Sequence, residues 1–147
     1  MRIQIFLVLM LLSQLGFGQV WMTDLDEAKA LAAKEHHNIV LVFQGSDWCA
    51  PCMKLEQEIW SSSEFQEYAK DHYVLLKADF PRKKKNQLSE RQQKDNNRLA
   101  EKYNQEGYFP LVVVLSPSGK TLGKTGYEHV TPSEYIKILN SLEVASL

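Results

Sequence analysis

The chain has 147 residues, 44% of them hydrophobic and 24% charged, with 17 Lys+Arg against 18 Asp+Glu. Those values argue for one ordinary globular domain, with or without a leader, and against disorder, collagen or a multispan membrane protein. A net charge of −1 supplies no field for nucleic acid, and two cysteines three positions apart are too few for a disulfide-built scaffold.

The first segment reads as a leader rather than as part of the fold. Arg2 precedes Ile3 to Leu12, which is apolar apart from Gln4, and Gly16 and Gly18 are small residues at −3 and −1 of a cleavage point. That layout predicts a secretory signal peptide over 1–18 and a single domain over 19–147. An uncleaved N-terminal anchor is the alternative, although the apolar stretch is short for a span of roughly 20 residues. The two cysteines are therefore expected to work outside the cytoplasm, in a periplasm or a secreted location.

Asp24 is placed to cap a helix to about Glu35, with Leu25, Ala28, Leu31 and Ala32 on one face. Ile39 to Phe43 is a continuous apolar run of buried-strand length. Gly45-Ser46-Asp47 turns into Trp48-Cys49-Ala50-Pro51-Cys52, and helical spacing follows through Met53, Leu55, Ile59 and Trp60. A second helical stretch starts at Ser63, and the next strand runs from Tyr73 to near Asp79. Residues 81–97 hold six basic and two acidic residues with Leu88 as the one strong hydrophobe, and are read as a solvated loop, the alternative being a contact for an acidic partner or anionic surface. A short helix is expected from Asn97 to Tyr103, then a strand over Leu111 to Leu115. Ser116-Pro117-Ser118-Gly119 is a hairpin turn into a strand from Thr121 to Thr125. Thr131-Pro132-Ser133-Glu134 is a capping box for a last helix with Tyr135, Ile136, Leu139 and Leu142 inward. There is no internal repeat and no linker between folded units. The order predicts an α/β fold with a four-stranded mixed sheet and helices on both faces.

Chemistry concentrates at the first strand–helix junction. Cys49 falls at or near a helix N-terminus, where unpaired N–H groups and the helix dipole favour a thiolate, the form that attacks disulfides. Cys52 lies one turn on and can reach back to resolve a mixed disulfide. Pro51 fits the first helical turn, where its missing N–H costs little, and Trp48 supplies an apolar wall. A zinc site needs four ligands, and there is no second cysteine pair. His36, His37 and His72 precede strands, which places them roughly 20 Å from Cys49 at ~3.3 Å per residue. His129 alone is positioned to approach the cysteines, so no metal site is expected.

These residues resemble the thioredoxin superfamily, in particular secreted bacterial thioredoxin-like proteins, from about Leu25 to Leu142. The resemblance rests on Trp48-Cys49-Ala50-Pro51-Cys52 after an apolar strand, Lys102-Tyr103 and Gly107-Tyr108-Phe109-Pro110 before a valine-rich strand. Lys120 and Gly126 fit as well. It implies a thioredoxin fold, a redox-active Cys49–Cys52 disulfide with no other cofactor, and a cis Phe109–Pro110 peptide facing it. It also implies that Phe109 offers backbone groups to an extended substrate, with Trp48, Tyr108 and Tyr127 rimming an apolar groove. Three departures stand out. Phe43 occupies the place, six residues before Cys49, where reductants of the superfamily often carry a buried acid, so Cys52 must lose its proton to water or another base; Asp47 and Lys77 are the candidates, although both are read first as solvated charges. Leu111 follows the proline where thioredoxins usually have Thr. The basic segment 81–97 is longer than the usual connection.

Pro51 immediately before Cys52 resembles the reducing members. The expected function is therefore a thiol–disulfide oxidoreductase, a monomer that reduces disulfides in exported proteins. It would be recharged by a membrane thiol–disulfide electron donor, since an NADPH-linked reductase is absent from that compartment. The alternatives are a disulfide oxidase or isomerase, and a non-redox substrate- or metal-binding protein using the same groove.

Overall fold

A computed structural model describes residues 19–145, so the expected leader over 1–18 lies outside the described residues. The elements are β1 (Trp21–Met22), α1 (Leu25–Glu35), β2 (Asn38–Gln44), α2 (Ala50–Leu55), α3 (Ser63–His72), β3 (Tyr73–Asp79), α4 (Glu90–Tyr103), β4 (Leu111–Leu115), β5 (Thr121–Thr125) and α5 (Pro132–Val144). They form a mixed sheet in the order β1-β3-β2-β4-β5. β2 runs parallel to β3 with Val42 opposite Lys77, and antiparallel to β4 with Val42 opposite Val112.

The sheet has five strands, not four. The extra strand is β1, whose two residues pair in parallel with Leu75 and Leu76. Two residues show no periodicity, so nothing in the sequence marks them as a strand. The basic segment also departs from the expected loop. Its second half is helix α4, which begins at Glu90 rather than Asn97 and is capped by the Ser89 hydroxyl accepting from the Gln92 N–H. The first turns of α4 are polar because they face solvent. Asn96, Leu99 and Tyr103 form its buried stripe.

The central strands explain the two-layer burial. Ile39 to Phe43 of β2 and Val112 to Leu115 of β4 are completely buried. Val40, Val42, Leu75 and Val112 face one core with Leu55, Ile59, Trp60, Phe65, Tyr135 and Leu139. Ile39, Leu41, Phe43 and Val113 face the other, with Ala28, Leu99 and Tyr103. Each such Val, Leu or Ile stabilises the fold by roughly 1.5–3 kcal/mol of removed apolar surface. Local signals reinforce the packing. Asp24 caps α1 by accepting from the Glu27 N–H, and Thr131 with Glu134 forms a reciprocal capping box on α5.

α2 does not end at Leu55. It continues as a π turn over Glu56–Trp60, closed by the Ser61 N–H donating to the Glu56 carbonyl. The extra residue in that turn delivers both Ile59 and Trp60 to the core.

Candidate active site

Cys49 stands at the C-terminal end of β2, after a turn, as the N-cap of α2. Its backbone is extended, and its sulfur accepts from the Cys52 N–H at 3.3 Å. The two cysteines are joined in a disulfide, with their Cα atoms 5.2 Å apart. Both are buried, and Pro51 between them sits exposed in the first turn of the helix.

The Phe109–Pro110 peptide is cis, and Pro110 is buried at the start of β4. A cleft of about 610 Å³ opens here, lined by Pro51, Tyr108, Phe109, Pro110, Gly126 and Tyr127 among others. Pro51, the cis proline and the β5 exit are thus brought together. A Cβ added at Gly126 would meet the Pro110 carbonyl oxygen at an ordinary 3.5 Å, so packing alone does not demand glycine there. The Tyr135 hydroxyl fixes that backbone by donating to the Gly126 carbonyl.

Trp48 does not line this cleft. It is a half-buried strut whose indole N–H donates to the Phe80 carbonyl at 2.7 Å. Its ring packs edge-on against Phe109 at 5.3 Å, and so touches the cleft through that residue. Gly45 permits this placement, because any Cβ there would run into the indole. Tyr127 is held by a hydrogen bond from its hydroxyl to Glu58 (2.7 Å), with His129 Nδ1 3.2 Å away. That bond holds the Glu58 carboxyl below the usual carboxylate range and pushes the Tyr127 hydroxyl up. His129 therefore faces Glu58 and Tyr127, and among the described residues no group of three or more His, Cys, Asp or Glu is placed to hold a metal.

A family profile described as thioredoxin-like matches residues 20–117. The disulfide bond reductase DsbH of Chlamydia pneumoniae is 36% identical over 115 residues, covering 78% of this chain and 68% of that protein.

The chain belongs to the thioredoxin-like family.

The solved structure of a DsbH oxidoreductase superposes with a TM-score of 0.78 at 33% identity, over 85% of this chain and 84% of that one. A thioredoxin from Thermus thermophilus shares the fold with a TM-score of 0.63 at 17% identity, over 87% and 90% of the two chains. With its disulfide at the strand–helix junction, this thioredoxin-like chain is a thiol–disulfide oxidoreductase.

Against the thioredoxin pattern, the departures take a physical form. Phe43 lies in the core on the α1–α4 side of the sheet, the face away from Cys52. The residues that share a cavity of about 310 Å³ with Cys52 are Gln44, Ser46, Met53, Glu56, Gln57 and Lys77. Glu56 was not anticipated from sequence. Its Oε2 is buried with no hydrogen-bond partner, and Oε1 receives only a long bond from the Ser61 hydroxyl at 3.4 Å. Four residues after Cys52, it occupies the same helical face one turn on, a spacing that could have signalled it. Lys77 is half-buried rather than solvated, with its ammonium 4.7 Å over the Trp21 ring. Asp47 is also structural. It accepts from the Arg82 and Lys83 backbone N–H groups and the Asn86 side chain, and these bonds, led by Arg82, hold its carboxyl down to about 2.

Proposed function

We propose that this oxidoreductase runs as a reductase of protein disulfides outside the cytoplasm, with Cys49 as nucleophile and Cys52 as resolving thiol. The observation that carries it is the Cys49–Cys52 disulfide at the head of α2, beside a cleft built on cis Pro110. In the reduced protein the Cys49 thiolate attacks one sulfur of a substrate disulfide and expels the other as a thiolate. Cys52 then gives up its proton, attacks the Cys49 sulfur, and releases the second substrate thiolate. Two electrons leave the dithiol, and Cys49–Cys52 closes. The substrate strand lies in the cleft along Phe109 and Pro110, with Tyr127 and Gly126 opposite and Trp48 backing Phe109.

Glu56 takes the proton from Cys52. Its unpartnered carboxylate oxygen, buried in the cavity that Cys52 lines, supports this role. Regeneration requires two electrons from a donor outside the NADPH pool, which a membrane thiol–disulfide protein supplies. The leader-like N-terminus supports export to a periplasm or beyond, and the reductase direction is supported by Pro51 and by the activity for which the Chlamydia relative is named.

Equilibration of the Cys49–Cys52 pair with a thiol–disulfide buffer tests the direction. The expected potential lies near the ~−270 mV of thioredoxin, and a value near the ~−120 mV of a strong oxidant would overturn it. Glu56→Gln tests the proton acceptor. It should slow resolution of a preformed mixed disulfide at neutral pH about ten-fold or more, as loss of a general base does. The rate should recover at high pH. An unchanged pH profile would remove Glu56 from the mechanism.

A further inference from the structure

Residues 81–97 carry a charge of +4 in a chain whose total is −1. Four of those cations are consecutive, Arg82, Lys83, Lys84 and Lys85, and all four are exposed. Within α4 the charges are partly matched, since Asp95 lies near both Arg91 and Arg98. None of the four side chains at 82–85 has an ion-pair partner among the described residues.

Contiguous like charges repel, and a loop that merely keeps them solvated would be left free. Here the loop is tied to the redox turn at many points. Ser46 donates to the Asp79 carboxylate through both its N–H and its hydroxyl, and the Phe80 N–H donates to the Gln44 carbonyl. The Trp48 indole donates to the Phe80 carbonyl, and Asp47 accepts from Arg82, Lys83 and Asn86. The Asp47 oxygens face backbone N–H groups and the Asn86 amide. Its charge therefore fastens the loop mainly through these bonds, with a lesser pull from the Lys83 charge, and the exposed side chains at 82–85 make no close ion pair among the described residues.

The platform is continuous with the cleft. The Arg82 guanidinium lies 3.8 Å over the Trp48 ring, and that ring is 5.3 Å from Phe109, which lines the cleft. Those two steps correspond to about three residues of extended chain. We infer that the 82–85 loop is a docking platform for an acidic polypeptide segment, selecting disulfides that have clustered Asp or Glu a few residues from the reacting cysteine. The inference rests on the oxidoreductase reading and holds for either direction of electron flow. Complementary charge at such a rim raises the encounter rate more than the strength of the final complex, and salt screens it.

The test uses two peptides with the same intramolecular disulfide. One has three Asp residues placed three positions from a cysteine, and the other has Asn in their place. Thiol–disulfide exchange with the protein is followed from low salt to about 0.5 M, where screening reaches only a few ångströms. The acidic peptide should react about ten-fold faster at low salt and lose its advantage at high salt. The combined change Lys83→Glu, Lys84→Glu and Lys85→Glu should abolish that advantage and leave the Asn peptide's rate and the dithiol potential unchanged. Equal rates for the two peptides, or a preference that survives the charge reversal, would overturn the platform. So would a reversal that abolishes binding to phosphatidylglycerol vesicles yet spares peptide discrimination. No exchange with either peptide would instead remove the oxidoreductase reading on which the platform rests.

Discussion

Trp48 offers a stepwise dissection of the strut behind the cleft. Trp48→Phe removes the indole donor to Phe80 and keeps an aromatic ring between Phe109 and Arg82. The lost hydrogen bond costs about 1 kcal/mol. Trp48→Ala also removes the edge-on pair with Phe109, roughly 0.5–1.5 kcal/mol, and the cation–π contact with exposed Arg82, roughly 0.5–1 kcal/mol. The alanine variant is therefore expected to lose about 3 kcal/mol, with the contacts sharing one ring and so not strictly additive. At about 4 °C per kcal/mol for a chain of this size, the Tm falls by ~4 °C for Phe and ~12 °C for Ala. Thermal unfolding of the oxidised protein, followed by circular dichroism or calorimetry, reads both. Equal losses in the two variants would mean that the ring contacts contribute nothing. An unchanged Tm for Trp48→Phe would mean that water replaces the indole at the Phe80 carbonyl at no cost.

Three further outcomes follow from single groups. Tyr103→Phe strands the buried Gly119 carbonyl, which now accepts from the Tyr103 hydroxyl at 2.7 Å. It should lower stability by about 1–2 kcal/mol, seen as a lower urea midpoint with an unchanged slope. Tyr127→Phe removes the first cause of the lowered Glu58 pKa, so a carboxyl NMR titration should show Glu58 rising toward its ordinary value; no movement would sink that attribution. Asp47 has a folded pKa of about 2 against an ordinary 3.8, so its contribution is fully present above the ordinary value and is lost as pH falls through about 2. Hydrogen exchange should find the Arg82 and Lys83 amides protected at mildly acidic pH and released only in strong acid; release at mildly acidic pH would contradict the tie.

The parts of the fold legible in sequence are those with a strong local pattern. Ile39 to Phe43 and Leu111 to Leu115 are apolar on both faces, and both are central strands with helices above and below. The boxed Thr131–Glu134 start appears bond for bond. The misses come from elements whose pattern is set by distant partners. β1 exists only because Leu75 and Leu76 present an edge to it. The start of α4 was hidden because its buried residue in that half is Asn96, which donates to the Asp79 carbonyl and accepts from Gln92, instead of a hydrophobe. At the site, the cysteines and Pro51 are legible in a short motif, whereas the cis Phe109–Pro110 peptide is implied only by the family resemblance. Glu56 is marked only by its four-residue spacing from Cys52, which does not show that the carboxylate is buried beside it, and the Asp47 tie depends on a loop more than thirty residues away, which no local spacing reveals.

The short first strand bears on how molecules meet one another. A seven-residue edge such as β3, left open, is a template on which another chain can add a strand. Trp21 and Met22 cover its middle, at Leu75 and Leu76, and interrupt the row of free peptide groups. At the opposite margin the register of β5 slips between Val114 and Leu115, and Lys124 places a charge on the rim. Both margins of the sheet are thereby blunted against edge-to-edge pairing. The protein can hold an extended guest in its cleft without offering a long flat strand edge on which guests could accumulate.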